Sequence, residues 1–213
     1  PYIAGHEPGA PVMPDGAEPL PATIGALLAL DGSHLLIQGP PGAGKTYTSS
    51  QAIVALLAEG KRVAVASNGH KAINQLLREV EALATANGLR CSGIKKSSRE
   101  EQMLGTRGWI QETLDNKAVT GAQQLVAGTA WLFAREEHDG AFDYLFIDEA
   151  GQVGLANVVA MGVAARNIVL VGDQMQLSQP IQGTHPRSSG LSALQHVLED
   201  HAIVPAERGV FLA

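Results

Sequence analysis

The sequence predicts an α/β domain with a central, mostly parallel β-sheet flanked by helices. Short, unbroken apolar runs recur along the chain, which is typical of strands that are buried on both faces of a parallel sheet. Helix-like stretches separate these runs, and a polar cluster follows several of them. The chain has 213 residues, of which 45% are hydrophobic, and this is enough for one sizeable core.

The elements follow one another along the chain. Residues 1–21 hold six of the eleven prolines, a composition that suits a linker or tail, so the domain is expected to span 22–213. The stretch 99–117 reads as polar, helical and exposed. Because the carboxyl ends of parallel strands share one edge of a sheet, function is expected at that edge. We expect helices at 46–59 and 70–87, and strands at 35–38, 62–67, 89–94, 124–127, 144–147 and 167–171.

Charge and cysteine content exclude several classes of protein. A net charge of −6 argues against a free-standing nucleic-acid binder, so any nucleic-acid contact is expected to be local or shared. The single cysteine, Cys91, cannot form an internal disulfide, which favours a reducing compartment, and we expect the cytoplasm. No apolar run approaches the length of a membrane span, so no membrane partner is expected. The seven histidines show no metal-ligand spacing.

A phosphate-binding loop follows the first apolar run. Residues 39–46 match G-x-x-x-x-G-K-[ST] between a strand and a helix, where a plain glycine–proline turn is the alternative interpretation. Lys45 is expected to neutralise phosphate charge, Thr46 to bind Mg²⁺, and Tyr47 to lie beside the nucleotide. The glycines let the backbone N–H groups point at phosphate oxygens, and the helix N-terminus adds partial positive charge. The loop itself consists of Gly39, Pro40, Pro41, Gly42, Ala43 and Gly44.

Two further strand ends carry residues that complement a phosphate-binding loop. Residues 144–149 form an apolar run that ends in Asp148 and Glu149, as a Walker B element requires. Asp148 is the expected Mg²⁺ partner and Glu149 is placed to orient or deprotonate the attacking water. Paired acids after a strand can also be a simple helix N-terminus. In the next cluster, 172–177, the amide of Gln176 could sense the γ-phosphate, although a polar turn is the alternative.

Five motifs in order carry a resemblance to a known family. GPPGAGKT, SNGHK, GTAWLF, IDEAGQ and GDQMQL are similar to motifs I, Ia, Ic, II and III of superfamily 1 helicases. The DEAGQ form most resembles the superfamily 1B branch. GDQMQLSQPIQGTHP looks like bacterial proteins that join a RecB-like nuclease to such a helicase. The resemblance implies a RecA-like P-loop domain that uses ATP and Mg²⁺, with Lys45 and Glu149 acting in hydrolysis and Gln176 as γ-phosphate sensor.

The resemblance also implies partners. Single-stranded nucleic acid, DNA in preference to RNA, would bind along a path of six residues. The alternative interpretation is structural: glycine, serine and threonine at strand ends often form turns, and His-Lys can be a solvated first turn of a helix. A second RecA-like domain in cis would supply arginine fingers, and a nuclease domain could lie upstream. The chain ends before the second motor domain, so it is expected to bind nucleotide and hydrolyse it poorly. The path residues are Ser67, Asn68, His70, Lys71, Gly128 and Thr129.

Some residues leave their roles open. Trp131 and Phe133 suit base stacking, but their spacing could place one ring in the core and one at the surface. The basic residues of 89–123 could line a channel, while interspersed acids favour a solvated polar face. Pro180 falls one residue later than in the family pattern, and the upstream Gln for adenine recognition is not evident. A nucleotide-switched protein-binding module and, less well supported, a P-loop kinase are the alternative functions.

Overall fold

The computed structural model describes residues 1–173, 175 and 190–213. Its centre is an eight-stranded sheet in the order β4-β3-β5-β2-β6-β7-β1-β8, and every neighbouring pair of strands is parallel. The predicted RecA-like α/β fold is confirmed. The strands are β1 His34–Gln38, β2 Val63–Ala66, β3 Gly93–Lys96, β4 Ile110–Thr113, β5 Leu125–Gly128, β6 Phe142–Ile147, β7 Ala165–Gly172 and β8 Gly209–Phe211.

Helices cover both faces of the sheet. One apolar layer lies between the sheet and the first three helices, and it contains Leu35 and Ile37. The other layer lies between the sheet and the last three helices, and it contains Leu36. Successive residues of a strand point to opposite faces, so β1 contributes to both layers. None of the described helices has the length and hydropathy that a membrane span requires. The α-helices are α1 Pro19–Leu28, α2 Lys45–Ala58, α3 His70–Ala86, α4 Ala130–Phe133, α5 Leu155–Gly162 and α6 Ala193–Leu198.

The proline-rich leader packs on the domain. Ile3 is buried and forms an antiparallel bridge with Leu30, and the backbone N–H of Val12 donates to Ala206 O at 2.8 Å. Helix α1 begins at Pro19, three residues inside the stretch expected to be linker or tail. Proline suits the first turn of a helix because its missing N–H would have no intrahelical partner there. High proline content in the leader therefore concealed a helix start.

The prediction of a helix at 99–117 is wrong, although most charged side chains of this stretch are exposed as expected. This stretch contains the edge strand β4 and two short 3₁₀ turns. The ammonium of Lys95, in β3, is fully buried and donates to Ser97 Oγ at 2.7 Å and to the carbonyl of Gln102. The carboxylate of Glu112 accepts the backbone N–H groups that open the connecting loop. Side-chain hydrogen bonds thus stabilise this connection, which contains no α-helix.

Candidate functional site

The phosphate loop leaves β1 and enters α2 at the carboxyl edge of the sheet. Gly42 and Gly44 have φ angles of 84° and 83°, which glycine adopts without steric cost, and α2 starts directly afterwards at Lys45. The ammonium of Lys45 donates to Gly39 O at 2.7 Å and to Pro40 O at 2.8 Å. The loop therefore forms a concave backbone turn at a helix N-terminus, the arrangement that binds anions.

Gly39 has no room for a side chain. A Cβ at this position would lie 2.7 Å from the carbonyl oxygen of Leu212 and 3.1 Å from the Cβ of Ala43. The N–H of Leu212 also donates to Gln38 O at 2.8 Å. The first turn of the phosphate loop is thus pressed against the segment that follows β8.

We expect Gly39→Ala to destabilise the protein by about 1–3 kcal/mol, because backbone must move to admit the methyl group. Gly25→Ala is the matched control: Gly25 lies in α1 with open space around its Cβ position, so this change should stabilise the helix by up to about 1 kcal/mol. Urea unfolding of both variants measures the difference. Equal stability of the two variants would contradict the close approach at Leu212.

The acidic pair forms a tight turn after β6. Glu149 adopts φ 55°, a left-handed conformation that is uncommon for a residue other than glycine. Its backbone N–H donates to Asp148 Oδ1 at 3.0 Å, and its carbonyl accepts the N–H of Gln152 at 2.8 Å. Hydrogen bonds on both sides therefore hold the left-handed backbone of this turn.

Glycines let three strand-end segments contact each other through backbone atoms. The N–H of Gly39 donates to Gly172 O at 3.2 Å. A Cβ on Gly172 would lie 3.1 Å from the amide nitrogens of Ala150 and Gly151, and a Cβ on Gly151 would lie 2.5 Å from Asp173 O. The phosphate loop, the acidic turn and the end of β7 are therefore packed as one unit.

The charges at this edge influence one another. Burial raises the pKa of Asp148 to about 6, while the backbone N–H of Glu149 and the charge of Lys45 oppose this rise. Burial lowers the pKa of Lys45, and the carboxylates of Asp173 and Asp148 oppose this change. Asp173 is itself buried and accepts the N–H of Met175 at 2.9 Å. Asp148 thus carries a carboxylate whose desolvation its protein neighbours offset only in part.

These residues fit a magnesium ion that a nucleotide brings with it. No cluster of three or more metal-ligating side chains occurs in the part of the chain that the structure describes. Mg²⁺ is commonly held by one or two carboxylates together with substrate phosphates, and it does not need an all-protein cage. Asp148 is a desolvated carboxylate at the same edge as Thr46, the residue after the loop lysine, so both suit that role.

The residues predicted for nucleic acid lie at the ends of β2 and β5. Ser67 is buried, and within the described residues neither its hydroxyl nor Nδ1 of His70 has a hydrogen-bond partner. The amide of Asn68 donates to the carbonyl of Gln152. Lys71 is exposed in the first turn of α3. Burial lowers the pKa of His70, and the neighbouring lysines of β3 lower it further.

The segment after β5 separates its two aromatic residues. Phe133 is fully buried and packs edge to face on Phe142 at a centroid distance of 5.7 Å, whereas Trp131 is 84% exposed. Thr129 begins this turn, and a Cβ on Gly128 would lie 2.7 Å from a methyl carbon of Leu132. Phe133 is therefore a core residue, and only Trp131 is available to a ligand.

One domain family matches most of the chain. Residues 22–199 match the AAA domain family. The chain belongs to this family. The matched range includes the phosphate loop, the acidic turn and the end of β7.

Relatives of this AAA domain are helicases. It is 31% identical over 177 residues to the DNA replication ATP-dependent helicase/nuclease JHS1 of Arabidopsis thaliana, a match that covers 79% of this chain and 13% of the relative. It is 29% identical to the DNA replication ATP-dependent helicase/nuclease DNA2 of Saccharomyces cerevisiae, over 74% of this chain and 11% of the relative. The chain thus spans only about an eighth of these relatives. The names of these relatives agree with the helicase-type motor domain that the sequence predicts.

A solved structure supports the fold of the AAA domain. Arterivirus nonstructural protein 10, a helicase solved with DNA, aligns with a TM-score of 0.50 and 15% identity. The alignment covers 77% of this chain and 34% of that chain. At this identity the likeness concerns the fold alone.

The structure brings most of the predicted nucleotide site together. The loop 39–44, Lys45 and Thr46 form one turn, and Asp148 and Glu149 lie at the same edge of the sheet. Tyr47 is 55% exposed in the first turn of α2. Gln176 lies outside the described residues, as does Pro180.

Sequence reasoning missed two buried polar residues of the AAA domain. Gln38, directly before the phosphate loop, donates to Ala202 O at 3.0 Å and accepts the N–H of Val204 at 2.6 Å. Lys95 is fully buried, whereas interspersed charges had favoured a solvated face. The burial of Gln38 could have been suspected because a polar residue there ends an apolar run. The burial of Lys95 could have been suspected because the lysine directly follows Gly-Ile in a short strand.

Proposed function

We propose that this chain is the first motor domain of an ATP-dependent helicase of the superfamily 1B type. In this proposal it binds ATP with Mg²⁺ and contributes to movement along single-stranded nucleic acid. DNA is the proposed substrate in preference to RNA, because the relatives are named as DNA replication enzymes. The cytoplasm stays the proposed compartment.

The order of segments along the sheet edge carries this proposal. The phosphate loop follows β1, the end of β7 lies next to it, and the acidic turn follows β6. The segments that begin at Ser67 and Thr129 follow β2 and β5, which come next in the sheet. Neighbouring strands lie about 4.8 Å apart, so β1 and β5 are separated by roughly 19 Å. A nucleotide and a polymer can therefore bind side by side on one rigid edge.

Each residue of the nucleotide end has a definite task in ATP hydrolysis. Lys45 would transfer its hydrogen bonds from the loop carbonyls to phosphate oxygens, offsetting charge that develops there. Glu149 would accept a proton from the attacking water or orient it. Asp148 and Thr46 would hold Mg²⁺, which neutralises phosphate charge when it is bound.

Two hydrogen bonds link the acidic turn to the first segment of the proposed polymer path. The side chain of Asn68, at the end of β2, donates to the carbonyl of Gln152, and the N–H of Gln152 donates to Glu149. A change in the acidic turn on nucleotide binding would therefore reach the proposed polymer path through two hydrogen bonds. This arrangement supports coupling between hydrolysis and nucleic-acid binding.

Other parts of the motor belong to the proposal as well. A second RecA-like domain in cis would supply an arginine finger, whose absence lowers turnover on the order of a thousandfold. We therefore propose that this chain alone binds nucleotide and hydrolyses it slowly. An upstream nuclease domain is also proposed, on the basis of relatives named helicase/nuclease.

Nucleic-acid-stimulated ATP turnover tests the proposal. We expect single-stranded DNA to raise the turnover of the full-length protein, and Glu149→Gln to lose turnover on the order of a hundredfold while still binding nucleotide. Single-stranded RNA and duplex DNA serve as comparison substrates. Turnover that no nucleic acid changes would contradict the helicase proposal and favour a nucleotide-switched protein-binding module, which the helicase relatives do not support.

A further inference from the structure

The most exposed aromatic side chain lies beside a polar cleft at the end of the proposed path. Trp131 is 84% exposed, and the other large apolar side chain exposed to this extent among the described residues is Met175. The cleft has a volume of about 510 Å³, which falls within the usual range for small-molecule pockets. Its polar and aromatic lining consists of Lys96, Ser98, Asn116, Thr129, Trp131 and Arg135.

The backbone that carries Trp131 is held in place on both sides. Leu132 and Phe133 are buried directly after it, and Gly128 packs against the side chain of Leu132. The short helix α4 also packs against α5. An indole on a fixed backbone loses little entropy when a flat ligand stacks on it, so Trp131 is a preorganised platform.

The charges of the cleft suit a polyanion. Lys96 and Arg135 contribute cations, and no carboxylate lies among the described residues that line it. Arg135 is paired with Glu137 at 2.7 Å, and both side chains are exposed. Exposed pairs of this kind are weak, so a phosphate can compete for the guanidinium. The cleft is therefore locally cationic in a chain of net charge −6.

We infer that Trp131 stacks on one base of a bound single strand, while Lys96 and Arg135 hold the phosphates beside it. The inference rests on the proposed function, because Thr129 lies on the proposed path after β5 and also lines the cleft, which extends along the same edge to Lys96 at the end of β3. Every base has an aromatic face, so this subsite accepts any sequence. It adds a nucleic-acid contact at the end of the path that lies farthest from the nucleotide.

Binding of a labelled oligothymidylate to the full-length protein, followed by fluorescence anisotropy, tests the inference. We expect Trp131→Ala to weaken binding at least about fivefold, the lower end of base–aromatic stacking, and Trp131→Phe to recover most of the loss. Tyr2→Ala is the matched control: Tyr2 is 61% exposed and lies near the amino end of β1, so binding should not change. The thermal midpoint with Mg²⁺-ADP should be the same for all four proteins.

A strand of abasic sites separates stacking from phosphate contacts. Wild type should bind this strand more weakly than oligothymidylate, and Trp131→Ala should bind it as wild type does. Lys96→Gln should weaken binding to both strands and reduce the slope of log affinity against log salt by about 1. Equal loss of both strands in Trp131→Ala, or no loss at all, would overturn the stacking role. If wild type binds neither strand, the proposed function itself fails.

Discussion

Lys45→Ala should abolish the stabilisation that Mg²⁺-ADP gives to the folded protein. Nucleotide at a hundred times its Kd adds about 2.7 kcal/mol to the stability of a site that is formed only in the folded state. The ammonium of Lys45 already lies on the loop, bonded to Gly39 O and Pro40 O, and would exchange these bonds for bonds to phosphate oxygens. ATP turnover of the full-length protein should fall on the order of a hundredfold or more.

The same substitution has a second effect on the unliganded protein. Lys45 lowers the pKa of Asp148, so its loss should raise that pKa further.

Lys61→Ala is the matched control for nucleotide binding, because Lys61 lies between α2 and β2 at the amino edge of the sheet. Thermal unfolding with and without Mg²⁺-ADP measures both variants. A nucleotide shift that survives in Lys45→Ala would mean that the loop binds phosphate through its backbone alone.

The phosphate loop and the strand ends could be predicted because their signals are local. A phosphate-loop motif between a strand and a helix specifies its own backbone turn, and apolar runs marked six of the eight strands, whereas β4 and β8 were not predicted. Lys45 was therefore predicted from its immediate neighbours, and Asp148 from the apolar run before it together with the phosphate loop about a hundred residues upstream. Their placement at one edge followed from the parallel sheet alone, because all carboxyl ends of parallel strands meet there.

The remaining features depend on partners that are distant in the chain. Nothing near Gly172 in sequence indicates that its missing side chain makes room for the amide of Gly151. Burial of Lys95 depends on a connection that resembled a helix in sequence, where the ammonium of Lys95 bonds to the carbonyl of Gln102 and the carboxylate of Glu112 accepts backbone N–H groups. The order of the strands was likewise not predictable, because apolar runs of similar composition are interchangeable.

Asp148→Asn should make the unliganded protein more stable at neutral pH. Burial raises the pKa of Asp148 from 3.8 to about 6 in the folded state. Below 3.8 the carboxyl is protonated in both states and contributes nothing. Between 3.8 and 6 the unfolded chain gives up its proton first, so stability falls as pH rises. The total loss is at most roughly 3 kcal/mol, because partial exposure screens the charge, and it persists above pH 6.

Asparagine keeps the oxygen that accepts the N–H of Glu149 and removes the charge. In urea unfolding with EDTA, the variant should match wild type near pH 4 and exceed it increasingly up to pH 7. Asp139→Asn, at an exposed carboxylate, should show no such trend. Addition of Mg²⁺-ADP should reverse the order, since wild type regains stability when a cation offsets the carboxylate. A variant that is less stable than wild type at pH 7 without metal would mean that Asp148 is already satisfied by its protein neighbours. If the order of stability reverses, the charged carboxylate of Asp148 destabilises the unliganded domain. Binding of the nucleotide with its metal ion then offsets this loss of stability.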